Sequence, residues 1–222
     1  MSRINPNDLE KYQSPSNSSE FFSLKNDKDT AVVHFLAETT DDLDIFVVHK
    51  VKEGEKYRYV SCLRNAGEPV DNCPLCAAGL KPEVRIFAQM YDAKDKKVKI
   101  WDRGRTFLKL LEPFARRIKP LFKRPFEIER NGVAGDMKTT YGLFALEPDN
   151  NYPEMTLEQL PEKVQVSGRE KTIILERTAE ELKSFLKTGK LTSTGGTEQA
   201  TPRENKQDKP SDVPQPGRRR VY

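Results

Sequence analysis

Two hydrophobic periods alternate along the chain, one of two residues and one of three to four, and they divide it into elements. Residues 30–36, Thr-Ala-Val-Val-His-Phe-Leu, are β-branched and apolar on both faces, the pattern of a buried strand. Residues 43–51 alternate, with Leu43, Ile45, Val47, His49 and Val51 on one face. A polar turn with one glycine at 52–56 predicts a hairpin, and residues 57–63 return as its second strand. On that strand Tyr57, Tyr59 and Ser61 share one face and Arg58, Val60 and Cys62 the other. Another hairpin follows, with strands at 84–91 and 97–101 and a turn at 92–96. Val84, Ile86, Ala88 and Met90 read as its core face; Arg85, Phe87, Gln89 and Tyr91 read as an open one, and Lys97, Lys99 and Trp101 share a side.

The period changes over 104–122, where Phe107, Leu110, Leu111, Phe114, Ile118 and Leu121 recur at helical steps. Pro113 predicts two short helices there, with the proline near the start of the second. Residues 126–130 and 138–146 read as a last strand pair, joined by a loop whose Gly132 and Gly135 suit mobility. Residues 147–172 are polar and weakly patterned. A capping box of Thr178 and Glu181, with a stop at Gly189, predicts a helix over 179–188. The expected division is a flexible arm at 1–19, a core at 20–150, an accessory segment with a helix at 151–190, and a disordered tail at 191–222. The expected fold is mainly β with short helices, an OB-fold-like barrel.

Charge sharpens this picture. The 222 residues carry a net charge of only +4, yet residues 81–130 hold 15 basic and 7 acidic side chains. Such a block is the footprint of a localised anionic partner, against the simpler reading of a solvated helix face. Residues 1–19 have no apolar segment of signal-peptide type, and the apolar runs are strand-sized, so no membrane association is expected. Three cysteines, an odd number without an export signal, point to a reducing, cytoplasmic location.

All three cysteines fall between 62 and 76, beside one of two histidines. His49, Cys62, Cys73 and Cys76 form an ordered set whose Cys-Pro-Leu-Cys knuckle suits a closed, four-coordinate zinc site. One structural Zn2+ is therefore expected, in a zinc-ribbon-like insertion at about 49–80. The competing readings are buried, metal-free cysteines, or His34 as the fourth ligand. Four protein ligands leave no seat for a catalytic water. Val51 stands where zinc deaminases carry a glutamate, and no nucleophile–base pair or phosphate-binding glycine loop is evident. The chain is read as a binding protein and not an enzyme.

Single-stranded nucleic acid is held by cations along its phosphates and by rings under its bases. Arg85, Phe87, Tyr91, Lys97, Lys99, Trp101, Arg103 and Arg105 supply both kinds of group on adjacent strands. The opposing reading is that the rings are core. The rival functions are a zinc-stabilised protein-interaction module and a metal-dependent nucleic-acid enzyme.

Over residues 21–152 the chain resembles the zinc-containing single-stranded DNA-binding proteins of T-even and related phages. The resemblance rests on the order His49, Cys62, Cys73-Pro74-Leu75-Cys76, with one residue more between Cys62 and Cys73, and on the strands at 31–36 and 57–62. It implies an OB-fold with an inserted zinc subdomain and DNA in the cleft between them, with Phe87, Trp101 and Tyr152 at stacking positions. It further implies sequence-tolerant coating of DNA during phage replication, recombination and repair in the host cytoplasm. Phage replication or recombination proteins would be partners, and a solution monomer would associate on DNA. The basic N-terminal motif of that family is missing, since only Arg3 is charged among the first seven residues, and Arg218, Arg219 and Arg220 stand where the family has an acidic tail.

Overall fold

A computed structural model describes residues 20–136 and 138–192. The expected N-terminal arm, and the expected tail from 193 onward, lie outside the described residues.

The described part is mainly β with few, short helices, and its sheet is built around one long strand. That strand, β5 (Glu83–Asp92), pairs antiparallel with β6 (Lys97–Gly104) over its length, from Arg85 opposite Gly104 to Asp92 opposite Lys97. Its other edge is shared. Residues 83–87 pair with β3 (Asp44–Glu53), and residues 90–92 pair with β2 (Thr30–Phe35). From β3 the sheet continues to β4 (Lys56–Ser61), then to two short strands, β10 (Ile174–Leu175) and β9 (Ser167–Gly168). From β2 it continues to β7 (Phe126–Asn131) and β8 (Thr140–Ala145), while β1 (Glu20–Phe21) runs parallel to β6. These ladders form an open sheet among the described residues.

One face of the sheet, here the inner face, carries Val33, Phe35, Ile86, Ala88, Met90, Trp101, Phe126, Ile128 and Leu143, all buried together. The helix α2 (Thr106–Arg117) closes this core with Phe107, Leu111 and Ala115. Phe35 meets Phe126 edge-on at 5.1 Å, a geometry that suits the opposite charge of ring edge and ring face. The break expected at Pro113 does not occur: α2 runs through it as one helix. Apolar residues on both sides of the proline, Leu111 before it and Phe114 and Ala115 after it, are held on the same core. That anchorage outweighs the one backbone hydrogen bond that proline removes. Between α2 and β7 the only helical element is a short 3-10 turn, Leu121–Lys123, in place of the expected second helix.

The opposite, outer face of β5 differs from its expected exposure. Phe87, with Val48 and Ile100, is covered by Val164 and Val166 from the weakly patterned segment and by Ile173 and Ile174 just after it. Gln89 explains how that cover is held. Its amide nitrogen donates to the Val164 carbonyl at 2.8 Å and to Asp44 at 2.8 Å, while its oxygen accepts from the Val164 N–H at 2.7 Å. A buried amide satisfied on both sides in this way fixes a strand-like segment against the sheet.

The loop at 131–139 is tied at its neck. Arg130 donates to the carbonyls of Leu24, Gly132 and Val133, to Thr139 Oγ1 and to the Tyr141 hydroxyl. Gly132 has φ 132°, and a Cβ there would lie 3.0 Å from Thr139 Oγ1, so glycine is required.

The helix α3 (Ala179–Thr188) begins and ends as its sequence signals dictate. Thr178 Oγ1 accepts from the Glu181 N–H, the Glu181 carboxylate accepts from the Thr178 N–H at 2.8 Å, and Gly189 takes the left-handed conformation. Thr178→Ala is expected to lower the unfolding free energy by about 1 kcal/mol, read as a lower urea midpoint, with Thr178→Ser restoring it. An unchanged midpoint would show that the cap contributes nothing.

Candidate metal centre and its basic surroundings

His49 lies on β3, opposite Val60 of β4, and Cys62 follows the end of β4. The Cys62 N–H donates to the Val47 carbonyl at 2.9 Å, so Cys62 and His49 are diagonal neighbours at one end of the hairpin. The third and fourth donors come from the knuckle, where Cys73 caps the four-residue helix α1 (Pro74–Ala77) and Cys76 lies within it. Pro74 at the first helical position sacrifices no hydrogen bond.

The four donor atoms lie within 4.8 Å of one another. Cys62 Sγ is 3.7 Å from Cys76 Sγ, and His49 Nε2 is 3.5 Å from both Cys73 Sγ and Cys76 Sγ. A tetrahedral zinc with its usual bond lengths sets sulfur–sulfur edges of about 3.8 Å and sulfur–nitrogen edges of about 3.5 Å. These three spacings fit, and the four residues could hold one metal ion. His34, the competing ligand, lies elsewhere, with Nδ1 2.9 Å from the Phe122 carbonyl.

The electrostatics match such a role. Burial, helped by the nearby Arg64, lowers the His49 pKa, which favours the neutral ring that donates a lone pair. The Lys81 backbone carbonyl approaches the ring, yet the buried Nδ1 forms no hydrogen bond of full geometry. Burial raises the Cys73 thiol, but the backbone N–H groups of Cys76, Leu63 and Leu75 outweigh it and bring the pKa down. Cys76 is pushed up to about 12 by burial and then by Cys62 and Cys73 beside it. Three sulfurs this close ionise together only around a cation.

The centre is also packed. Cys73 and Leu75 are buried with Val51, Val60, Leu182 and Phe185. The last two residues are on α3, so a helix more than a hundred positions away covers the knuckle. Leu191, expected in the tail, packs on this cluster too, and its N–H donates to Glu53 at 2.9 Å.

The residues expected at a nucleic-acid surface separate into three groups. Phe87 and Trp101 are corrected outright, being 0% and 3% exposed. Phe87 is sealed under the Val164–Ile174 cover, and Trp101 meets Phe22, Phe107 and Tyr141 edge-on in the inner core. Neither ring can stack on a base while the fold is intact. Arg85, Lys97 and Lys99 are already paired: Arg85 with Asp102 at 2.6 Å, Lys97 with Glu20 at 2.9 Å, and Lys99 with Asp92 at 2.9 Å and with Asp95. Tyr59 joins the first pair, donating to Asp102 at 3.1 Å, its pKa raised to about 12 by burial and then by that carboxylate.

Arg103, Arg105, Tyr91 and Tyr152 form the third group. Arg105 is exposed and has no ion-pair partner among the described residues. The Arg103 guanidinium lies 4.4 Å from the Tyr141 ring centre and 4.9 Å from that of Trp101, and burial lowers its pKa. Tyr91 and Tyr152 are half-buried and line a common groove.

A surface not singled out from the sequence connects the metal centre with the arginines. Val47 lies opposite Val84, and Ile45 opposite Ile86, which is itself opposite Arg103. One cross-strand row thus runs from Cys62 through Val47 and Val84 toward Arg105, and the next runs from Ile45 through Ile86 to Arg103. Ile45 and Val47 are 43% and 45% exposed, although they share their face of β3 with buried His49 and Val51. The alternation marks the face correctly; the inner core ends before it reaches them. No protein-family model matches the chain, and no curated protein matches it.

Proposed function

We propose that the protein binds single-stranded nucleic acid, DNA first among the candidates, without chemistry of its own and with a structural zinc at His49, Cys62, Cys73 and Cys76. The observation that carries this reading is the strip beside the metal centre: exposed Ile45, Val47 and Val84, edged by Arg103 and Arg105. Unstacked bases need an apolar floor or a flat cation, and phosphates need unpaired positive charge. The aliphatic residues and the Arg103 plane would meet bases, while Arg105 and, one turn along α2, Lys109 would meet phosphates.

The open sheet is read as an OB-like core with the hairpin and knuckle as its zinc insertion. The ordered His-Cys-Cys-Cys set supports the resemblance to phage single-stranded DNA-binding proteins, and with it a role in coating DNA during replication, recombination and repair in the host cytoplasm. Phage replication or recombination proteins are then partners. The metal's task is to fix the β3–β4 hairpin beside the strip, since four protein donors fill a tetrahedral centre. A second reading, a protein-interaction module, draws on the same exposed Ile45, Val47 and Val84, which would also suit an apolar segment of an acidic partner.

Fluorescence anisotropy with labelled oligonucleotides tests the proposal. Single-stranded DNA is expected to bind at low salt and to lose affinity as salt rises. Arg105→Ala is expected to flatten the plot of log affinity against log salt by about 0.7. Buried Trp101 is not a direct reporter, so the label is needed. Absence of binding at low salt by single-stranded DNA and RNA alike would overturn the reading.

A further inference from the structure

A second groove lies at the far end of β5, where Tyr91 and the turn at 93–96 meet residues 151–161. Its volume is about 380 Å³, and its lining includes His34, Tyr91, Lys96, Asn151 and Tyr152. It differs from the strip beside the metal centre in face and in position: Tyr91 is on the outer face, seven residues along β5 from Val84.

His34 is the informative residue. It is only 3% exposed, and it stands directly opposite Tyr91 in the β2–β5 ladder. Nδ1 lies 2.9 Å from the Phe122 carbonyl, which can only accept, so Nδ1 carries the proton and Nε2 presents a lone pair. Nε2 has no partner among the described residues. Burial also lowers the pKa of the ring, in keeping with its neutral form. A lone acceptor at the edge of a groove walled by two tyrosines is a built site for a flat, apolar ligand with an N–H on its rim.

The neighbouring surface indicates what that ligand is attached to. Glu154 lines this groove and also an adjoining one bordered by Arg117, Lys119, Lys123 and Arg124. Arg117 and Lys119 are exposed and have no ion-pair partner among the described residues. Lys123 is paired with Glu154 at 3.3 Å and Arg124 with Glu147 at 2.7 Å, which leaves Arg117 and Lys119 as the cations open to an anion. A ring-walled groove beside two open cations matches a base with its phosphates.

We propose that the groove between Tyr91 and Tyr152 accepts one unstacked base of a bound nucleic-acid strand, with His34 Nε2 accepting from an N–H of the base and the Arg117–Lys119 side holding the neighbouring phosphates. The proposal rests on the nucleic-acid reading above and adds a subsite to it, remote from the metal centre.

The test compares the full zinc-loaded chain with its Tyr152→Ala variant. Each is titrated with a single-stranded oligonucleotide of about 16 nucleotides, the upper end of single-domain site sizes, and with an abasic strand of equal length. The Tyr152 backbone is held by Asp149, whose side chain accepts its N–H at 2.7 Å, so the substitution spares the loop. Wild type is expected to prefer the base-bearing strand, and Tyr152→Ala to bind that strand about tenfold more weakly while binding the abasic strand as before. With only two histidines in the chain, the His34 Nε2 nitrogen resonance can be followed directly. It is expected to move with the base-bearing strand and not with the abasic one. If wild type binds neither strand at low salt, the nucleic-acid reading itself falls. If it binds both but Tyr152→Ala and the His34 resonance are indifferent to the bases, the subsite is overturned and the rest of the reading survives.

Discussion

Cys73→Ala is expected to release the metal and to unfold the surface that α3 covers, lowering stability by more than about 4 kcal/mol. Cys73 is fully buried, receives three backbone N–H groups at its sulfur, and lies 3.5 Å from His49 Nε2. It also packs with Val51, Val60, Leu182 and Phe185, so loss of the centre would strip α3 of its support. Metal content by mass spectrometry and amide exchange across residues 179–188 would report the two consequences together. Chelation of the wild type is expected to reproduce the exchange pattern, because binding energy at a structural site is folding energy. If the cysteines were merely small buried hydrophobes, Cys73→Ala would cost only about 1 kcal/mol and leave α3 protected. That result would remove the metal centre.

The second large effect is expected at Phe87. Phe87→Ala should cost about 3–5 kcal/mol, because it opens a cavity between the sheet and its outer cover. The ring meets Phe46 at 6.2 Å and Tyr59 at 5.9 Å, both edge-on, and lies with Val166 and Ile174. Thermal melts would measure the loss, and Phe87→Leu should recover most of it. Oligonucleotide affinity of the folded fraction should be nearly unchanged. A surface stacking ring would behave in the opposite way, keeping stability and losing about 1–3 kcal/mol of binding. The same experiment therefore separates the interior role seen in the structure from the platform that the sequence pattern suggested.

The four-donor cluster was legible in the sequence because its spacing is local. Cysteine is scarce in this chain, and a hairpin followed by a knuckle brings its donors together over fewer than thirty residues. The alternation along β3, β4 and β5 likewise marked which residues share a face. The helix signals at Thr178 and Gly189 were local for the same reason, each acting within one turn.

Burial was less legible. A period of two shows that a strand has two distinct faces, but not what covers each of them. Charged Arg85 and polar Gln89 beside Phe87 looked like an open face. Their polarity is instead consumed internally, Arg85 by Asp102 and Gln89 by Asp44 and the Val164 backbone. Pro113 was misleading in a related way, since local stereochemistry predicts a break that packing on both sides overrides.

By itself, then, the sequence determined the strand faces, the four-donor set and the basic block, each of which depends on residue type and short spacing. The tertiary structure alone decided which aromatic rings lie inside, which cations stay unpaired, and that α3 covers the knuckle. The cations are paired across neighbouring strands or turns, as Arg85 is with Asp102. The cover over Phe87 and the packing of α3 depend on contacts between segments more than seventy residues apart, Gln89 with Val164 and Cys73 with Leu182 among them. No periodicity within a single segment encodes such a contact, because the free energy that selects it is the burial of two surfaces against each other.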